Sequence, residues 1–130
     1  ACPHGKLYNW FACDDDRGLC PVGWHVPSRE EWQILFGVYN MDQLVSTGLW
    51  NPDIPYNTNL SGLSLIPSGI GQVSTGNPGL TLFQQLGILF RYWTSEGEIS
   101  GSSNAFYADG NGVASGDYKM SGYSVRCLRD

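Results

Sequence analysis

The feature that most constrains this chain is a cysteine close to each of its ends. Cys20 opens the block Cys20–Ser28 (CPVGWHVPS), which combines a tight turn with a helix start, and Cys127 lies in the last predicted strand. A bond between the two closes a loop over most of the sequence, and loop-closure arithmetic puts its stabilisation at roughly 4–5 kcal/mol. Such a bond holds both termini on one sheet and predicts an oxidised domain rich in loops.

The cysteine content is typical of a secreted protein. The 4 cysteines allow three pairings. No Cys-x2-Cys pair is present, and the spacing of Cys13 and Cys20 is not that of metal ligands. We therefore expect two disulfides and no zinc site, and we favour Cys20–Cys127 together with Cys2–Cys13, a short link that fixes the N-terminal residues.

The composition predicts one domain of short strands joined by many turns. A chain of 130 residues fits a single domain, residues 1–130, with one core. Only 15% of the residues are charged, whereas Gly (17), Tyr (7) and Trp (5) are abundant. Aromatic residues favour strands and glycines favour turns, so this balance argues against a helix-rich protein.

Charge and hydropathy argue against two kinds of partner. The formal net charge is −5 and no run of Lys and Arg occurs, so we do not expect nucleic-acid binding. No apolar stretch approaches the roughly 18–20 residues of a membrane span. A signal peptide is not visible, from which we expect a processed product or an excised domain.

The firmest local prediction is a helix from Arg29 to Val38. Ser28 and Glu31 have the spacing of a capping box, in which each side chain bonds the backbone of the other residue. Three apolar residues then fall at positions i, i+3 and i+4, which places them on one helix face toward a core. They are Trp32, Leu35 and Phe36.

The other elements are predicted from shorter patterns. We expect strands at Leu7–Phe11, Arg91–Ser95, Asn104–Ala108, Val113–Lys119 and Tyr123–Leu128. The sequence DGNG at Asp109–Gly112 predicts a hairpin turn, because these residues tolerate positive φ. The remaining expectations are a short helix at Met41–Thr47, an irregular connection at Leu49–Pro67 with a buried anchor at Leu63–Pro67, a Gly-rich loop at Ser68–Gly79 and an apolar cluster from Leu82 to Phe90.

The tryptophans divide by their local context. Trp10, Trp24, Trp32 and Trp93 lie in predicted strands or helices, so we expect them in the core. Trp50 lies beside a proline in the irregular connection and is the best candidate for an exposed aromatic side chain.

Several sequence blocks together resemble one bacterial family. The blocks are Gly5–Trp10 (GKLYNW), Cys20–Trp32 (CPVGWHVPSREEW), Tyr92–Glu96 (YWTSE), Asn104–Ala105, Lys119 and Gly122–Leu128 (GYSVRCL). They span nearly the whole chain and resemble the Fibrobacter succinogenes major paralogous domain. The order of elements is similar to that of the wider C-type-lectin-like superfamily.

This resemblance implies an α+β, C-type-lectin-like fold. In such a fold short, mostly antiparallel strands combine with one or two helices and long irregular loops, and the N- and C-terminal strands pair. The resemblance also implies a bacterial cell-surface or secreted protein whose long loops carry recognition.

Catalysis is not expected, because no converging set of catalytic groups is visible. Of the two histidines, we expect His25 to be packed or capping and His4 to be solvated. The stretch Gly62–Ile66 lacks the second glycine of a nucleophile elbow. Formylglycine-generating enzymes, which belong to the superfamily, rely on a reactive cysteine pair. The expected disulfides leave no free cysteine pair for that chemistry.

No cofactor is expected either. Asp14–Gly18 (DDDRG) is too short for an EF-hand calcium loop, and Asp109–Asn111 lacks a bidentate acid at the required offset. The Glu-Pro-Asn and Gln-Pro-Asp triplets of calcium-dependent lectins are absent. Structural calcium held by loop carbonyls and aspartates stays open.

A recognition face is predicted between Thr94 and Tyr118. Small polar residues and tyrosines dominate there and make adaptable contacts at low entropic cost. The same composition is typical of a solvated hairpin, and the sequence favours the two interpretations equally. The candidate binding residues are Ser95, Glu96, Ser103, Asn104, Tyr107, Asp109, Asn111, Asp117 and Tyr118.

These observations predict a non-catalytic extracellular recognition or adhesion module of a bacterial surface or secreted protein. It would bind a glycan or protein ligand through its C-terminal loops. The alternative is a structural subunit that assembles with copies of itself into a surface appendage or filament.

Overall fold

The fold is mixed α and β, with short strands that pair mostly in antiparallel fashion. The computed structural model describes residues 3–52, 55–73 and 81–130. The helices there are α1 (Trp10–Cys13), α2 (Arg29–Val38) and α3 (Met41–Leu44). The strands are β1 (Trp24–His25), β2 (Ile70–Val73), β3 (Thr81–Gln84), β4 (Tyr92–Gly97), β5 (Asn104–Asp109), β6 (Gly112–Tyr118) and β7 (Leu128–Arg129). Strand β1 pairs with β7, β2 pairs with β3, and β4, β5 and β6 form a three-stranded sheet in that order.

Helix α2 has the predicted bounds, and its capping box is confirmed. The Glu31 backbone N–H donates to the Ser28 hydroxyl at 3.2 Å, and the Ser28 N–H donates to the Glu31 carboxylate at 2.7 Å. Helix α3 is shorter than predicted and ends at Leu44. The next residue, the β-branched Val45, is extended and forms a parallel bridge with Leu65, so the helix cannot continue through it.

The predicted hairpin is also confirmed. Strands β5 and β6 pair in register from Asn104 opposite Tyr118 to Asp109 opposite Gly112, with a bulge between Ala105 and Tyr107. The Asp109 carboxylate accepts a hydrogen bond of 2.8 Å from the Asn111 N–H. This side-chain contact fixes the turn, as expected for aspartate at that position.

The C-terminal segment joins three parts of the chain, although it is not the continuous strand predicted at Tyr123–Leu128. Tyr123 forms an antiparallel bridge with Tyr8, and Ser124 forms a parallel bridge with Tyr92. Only Leu128 and Arg129 then pair as a strand, with β1. Because the partners change along the segment, its hydrogen bonds are divided among several elements and no single ladder forms.

The strand predicted at Leu7–Phe11 is wrong. Trp10 begins helix α1, and the Asn9 side chain caps this helix by accepting a hydrogen bond of 3.2 Å from the Ala12 N–H. The Trp10 indole N–H donates to the Thr94 carbonyl at 3.0 Å, which fastens α1 to β4. Asparagine is a favoured N-cap, and that local signal outweighs the aromatic pattern here.

The core consists of two clusters on either side of β4. One contains Trp32, Leu44, Val45, Leu65, Phe90, Tyr92 and Ala108. The other contains Trp10, Trp93, Ala105 and Tyr123. The predicted core positions of Trp10, Trp32 and Trp93 are therefore confirmed, and Leu65 confirms the buried anchor in the irregular connection.

Two tryptophans and the Leu82–Phe90 cluster differ from prediction. Trp24 is 46% exposed, because side chains alternate along β1 and its neighbour His25 takes the side toward α2. Trp50 is half-buried and not an exposed platform. The apolar residues around β3 largely face outward, and Phe83 is 76% exposed. The predicted Gly-rich loop at Ser68–Gly79 begins with β2, and its part from 74 onward lies outside the described residues.

The Cys20–Cys127 disulfide is present and has a sequence separation of 107. It lies beside the β1–β7 pairing, in which Trp24 is opposite Arg129 and His25 is opposite Leu128. The two ends are thus joined covalently and by backbone hydrogen bonds. The second expected bond, Cys2–Cys13, involves Cys2, which lies outside the described residues.

His25 adds a polar link at the same place. Its Nδ1 lies 2.6 Å from the Asp130 carboxylate and its Nε2 lies 2.9 Å from the Glu31 carboxylate. Both ring nitrogens face acceptors, and only the protonated ring donates from both. The predicted structural role of His25 is consistent with this geometry.

We predict that His25 makes the stability of the fold depend on pH. Hydrogen bonds to Asp130 and Glu31 raise the pKa of His25 above its ordinary value of 6.5. This contribution is therefore complete below about pH 6.5 and is lost as the pH rises through the folded-state pKa. Thermal unfolding should show a midpoint that falls by a few degrees between about pH 6 and pH 9.

The matched variants are His25→Gln and His4→Gln. The first should flatten the decline in unfolding midpoint, and the second should leave it unchanged. Parallel curves for the wild type and His25→Gln would contradict the assignment. On the acid side, burial acts to raise the pKa of Glu31, but bonds from Ser28 and His25 hold it below 4.5, so its stabilisation is lost only at lower pH.

Candidate binding cleft

A cleft of about 380 Å³ opens between the β5–β6 turn, the segment leading into β4 and the irregular connection. Its volume lies within the range of small-ligand sites, which typically span ~300–1,000 Å³. Its lining is also typical of such sites, because an apolar floor is combined with a few polar groups. The lining residues are Met41, Val45, Trp50, Asn57, Ile88, Leu89, Phe90, Arg91, Asp109, Gly110 and Asn111. We call this site the Arg91 cleft.

The aromatic part of the cleft is held firmly in place. The rings of Trp50 and Phe90 meet edge to face with centroids 6.4 Å apart. The Trp50 indole N–H donates to the Ser46 carbonyl at 3.0 Å, which fixes the ring orientation. A neighbouring backbone bond of 2.7 Å, from the Asn51 N–H to the Gly87 carbonyl, anchors the connection that carries Trp50. The ring is therefore preorganised beside the polar groups.

Amides and a carboxylate form the rim. The Asn57 amide N–H donates to the Ser46 carbonyl at 3.3 Å, which leaves its carbonyl oxygen for a ligand. One oxygen of Asp109 caps the turn, and the other has no hydrogen-bond partner among the described residues. Asn111 is exposed at the tip of the turn. The rim thus offers both donors and acceptors within a small area.

Arg91 closes the inner end and is held by three side chains. Its Nη1 donates to the Asp117 carboxylate at 2.7 Å and to the Tyr123 hydroxyl at 2.9 Å. The guanidinium carbon lies 4.7 Å from the centroid of the Tyr107 ring. The Tyr123 hydroxyl also donates to Asp117. Arg91 lines, with Asp117 and Tyr123, a second cavity of about 170 Å³.

The charges of this network balance. Burial first, and then the hydrogen bond to Asp117, raise the pKa of Tyr123, so the phenol stays neutral at physiological pH. Burial also raises the pKa of Tyr107. Burial acts to lower the pKa of Arg91, but its hydrogen bond to Tyr123 and nearby charges raise it. The Arg91–Asp117 pair is therefore a neutral unit, and the in-plane N–H groups of Nη2 and Nε have no hydrogen-bond partner among the described residues.

The predicted binding residues do not form one site. Asp109 and Asn111 line the Arg91 cleft, and Tyr107 and Asp117 support Arg91 behind it. The other five lie elsewhere, at the far end of the hairpin or on the side toward α2: Ser95, Glu96, Ser103, Asn104 and Tyr118.

Those five residues have separate local contacts. Asn104 and Tyr118 pair at the end of the hairpin opposite to the turn. Five residues of strand separate Asn104 from Asp109, a distance of roughly 17 Å. Glu96 lies 3.7 Å from Arg29, whose guanidinium stacks on Phe106. The strand pairing therefore divides the predicted face into two regions.

The sequence patterns indicate Trp50 as a candidate aromatic side chain, but they do not indicate Arg91 or Asn57 as binding residues. The sequence pattern places Arg91 in a strand without a role, and the signal for it is a single cation within an otherwise apolar run from Gly87 to Trp93. Asn57 carries no local signal, since asparagine is common in irregular connections.

Among the described residues, metal and thiol chemistry have little support. No cluster of three or more His, Cys, Asp or Glu residues suited to a metal ion occurs within 3–52, 55–73 and 81–130. Burial, followed by the charge of Asp14, raises the pKa of the Cys13 thiol to about 12, so little thiolate forms at neutral pH. In the part of the chain that the structure describes, no helix is long and apolar enough to cross a membrane.

The chain matches one protein family over nearly its whole length. The family model of the Fibrobacter succinogenes major domain matches residues 3–129. The chain belongs to this family. No curated protein and no solved structure matches the chain. In this Fibrobacter succinogenes major domain, the matched region includes the disulfide, both core clusters and the Arg91 cleft.

Proposed function

We propose that this domain is a non-catalytic recognition module that binds a glycan in the Arg91 cleft. The observation that carries the proposal is the convergence of an aromatic ring, two amides, a carboxylate and a guanidinium on one cleft of about 380 Å³. Sugar hydroxyls both donate and accept hydrogen bonds, so they match a rim in which both kinds of group alternate.

The apolar floor supports the same class of ligand. The C–H face of a pyranose ring is apolar, and packing against Trp50 and Ile88 would remove it from water. The neutral Arg91–Asp117 pair favours an uncharged sugar, because a charged ligand would have to be desolvated against a balanced site.

A binding role also agrees with the arrangement of the thiols and histidines. Cys20 and Cys127 are bonded to each other, and the raised pKa of Cys13 makes its thiol a poor nucleophile. His25 is held between two carboxylates outside the cleft. We therefore propose recognition and not turnover.

The proposed setting is the bacterial cell surface or the extracellular space. Disulfides persist in oxidising compartments, and the Cys20–Cys127 bond fits such a setting. We further propose that the architecture is C-type-lectin-like. Supporting this are the pairing of β1 with β7 and the helix that follows β1 directly.

The test of the function is a glycan array followed by titration of the best neutral ligand. We expect at least one neutral glycan to bind, and Trp50→Ala to lower its affinity roughly tenfold or more, as for central aromatic contacts. Asn111→Ala should lower the affinity roughly three- to tenfold, since it removes one or two hydrogen bonds.

The matched control is Tyr118→Ala, which changes an exposed tyrosine of the same hairpin outside the cleft. Its affinity should equal that of the wild type. Equal losses of affinity for Tyr118→Ala and Asn111→Ala would contradict the assignment of the binding site to the Arg91 cleft. They would indicate a site that extends to the far end of the hairpin. An array without any glycan ligand would reject the proposed function.

One observation favours the second candidate, a self-assembling structural subunit. Four apolar residues in and after β3 are each more than half exposed: Leu82 (53%), Phe83 (76%), Leu86 (58%) and Ile88 (57%). Exposed apolar patches of this kind often mark contacts between proteins. Self-assembly through this patch predicts a mass that rises with concentration in light scattering and returns to that of a monomer in Phe83→Ser. The control is Ile99→Ser, and a constant monomer mass for the wild type would reject this candidate.

A further inference from the structure

Another cleft, of about 310 Å³ and separate from the Arg91 cleft, lies along helix α2 beside the Cys20–Cys127 bond. It is bounded on one side by α2 and on the other by the segment from Arg126 to Leu128. Six apolar side chains form most of its wall: Trp32, Ile34, Leu35, Val38, Leu63 and Leu128. Its volume lies at the lower end of the range for small-molecule sites, ~300–1,000 Å³, so it suits one short ligand and not a folded partner.

The floor of this cleft includes a buried donor without a partner. Trp32 is 2% exposed, and its indole Nε1 has no hydrogen-bond partner among the described residues. Trp10 and Trp93, in contrast, donate to the Thr94 and Tyr8 carbonyls at 3.0 and 2.8 Å. Buried N–H groups are nearly always paired, because an unpaired one loses its hydration without compensation. The nitrogen itself is not accessible from the cleft, so a ligand there would contact the carbon atoms of the ring.

The rim of the cleft carries a cation that no described carboxylate neutralises. The ion pairs of the described residues involve Arg17, His25, Arg29 and Arg91, and not Arg126. The carboxylate on the same rim belongs to Glu31, whose two oxygens already accept from His25 and from the Ser28 backbone. Arg126 is thus the free charge at this site.

We propose that this cleft binds a medium-chain aliphatic carboxylate, with the alkyl chain along α2 and the carboxylate toward Arg126. The apolar wall matches the chain, and the unpaired Arg126 cation on the rim matches an anionic head group. This site is separate from the Arg91 cleft, and the two clefts share no lining residue.

The first test is a titration of the ¹⁵N-labelled protein with sodium octanoate, followed by NMR. The assigned indole N–H signal of Trp32 should shift in a saturable manner. The indole signals of Trp10 and Trp93 serve as internal controls and should stay in place, since their N–H groups are already bonded. Absence of a saturable Trp32 shift would overturn the proposal.

The second test separates the head group from the chain. Arg126→Gln should weaken octanoate binding roughly three- to fivefold, as for loss of a solvent-exposed ion pair, and should leave binding of octan-1-ol unchanged. Arg129→Gln is the matched control, because Arg129 is exposed on β7 and does not line the cleft. Equal effects of the two arginine variants, or octan-1-ol binding as tightly as octanoate, would overturn the proposed carboxylate contact.

Discussion

Replacing Cys20 and Cys127 together by alanine should lower the free energy of unfolding by roughly 4–5 kcal/mol. The bond joins residues 107 positions apart, so its removal frees nearly the whole chain in the unfolded state. For a domain of this size such a loss corresponds to a fall of roughly 15–25 °C in the unfolding midpoint. Denaturant unfolding of both proteins, monitored by tryptophan fluorescence, measures the difference.

Cys13→Ala is the matched control for this experiment. Cys13 forms no disulfide among the described residues and packs at the edge of the second core cluster, so its replacement should cost about 1 kcal/mol or less. The double cysteine variant could instead lose no more free energy of unfolding than Cys13→Ala. That result would mean that pairing of the two ends does not depend on the covalent bond.

The second large effect is expected for Trp93→Ala, with a loss of roughly 3–5 kcal/mol. Trp93 is fully buried, its ring lies 4.3 Å from that of Tyr123, and its indole N–H donates to the Tyr8 carbonyl at 2.8 Å. The substitution therefore leaves a cavity and removes one of the two hydrogen bonds that the Tyr8 carbonyl accepts, the other of which comes from the Tyr123 N–H. Because Trp93 joins β4 to both the N- and C-terminal segments, we expect their amide protection against hydrogen exchange to fall together.

Trp24→Ala is the control of equal size change. Trp24 is 46% exposed, and its replacement should cost roughly 1 kcal/mol or less. Comparable losses for the two tryptophan variants would contradict the division into a buried β4 core and a solvated β1–β7 ribbon.

Sequence patterns predicted those parts of the fold that neighbouring residues determine. The α2 helix is specified by the Ser28–Glu31 capping box and the β5–β6 turn by Asp109 and its glycines, so both were located correctly. The sequence places Trp24 in the core because it is expected in a patterned strand or helix, and its 46% exposure shows that this is wrong. Which side chain of β1 lies toward α2 depends on how β1 pairs with β7, more than a hundred residues later, and no local pattern carries that information.

The candidate site shows the same limit. Asp109 and Asn111 could be proposed from the sequence because they flank a recognisable turn. The rest of the Arg91 cleft comes from three distant stretches, represented by Trp50, Asn57 and Arg91, which only tertiary packing brings together. Conversely, the sequence places Glu96 on the same predicted recognition face as Asp109. The packing of β4 against α2 directs the Glu96 side chain toward Arg29 instead.

The Arg91 cleft is the centre of this account, and an NMR titration of the ¹⁵N-labelled domain with its best neutral glycan tests it most directly. We predict saturable shifts at the Trp50 indole, the side-chain amides of Asn57 and Asn111, and the guanidinium of Arg91. Saturable shifts confined to Asn104, Tyr118 and the neighbourhood of Glu96, with the cleft signals unmoved, would contradict the account.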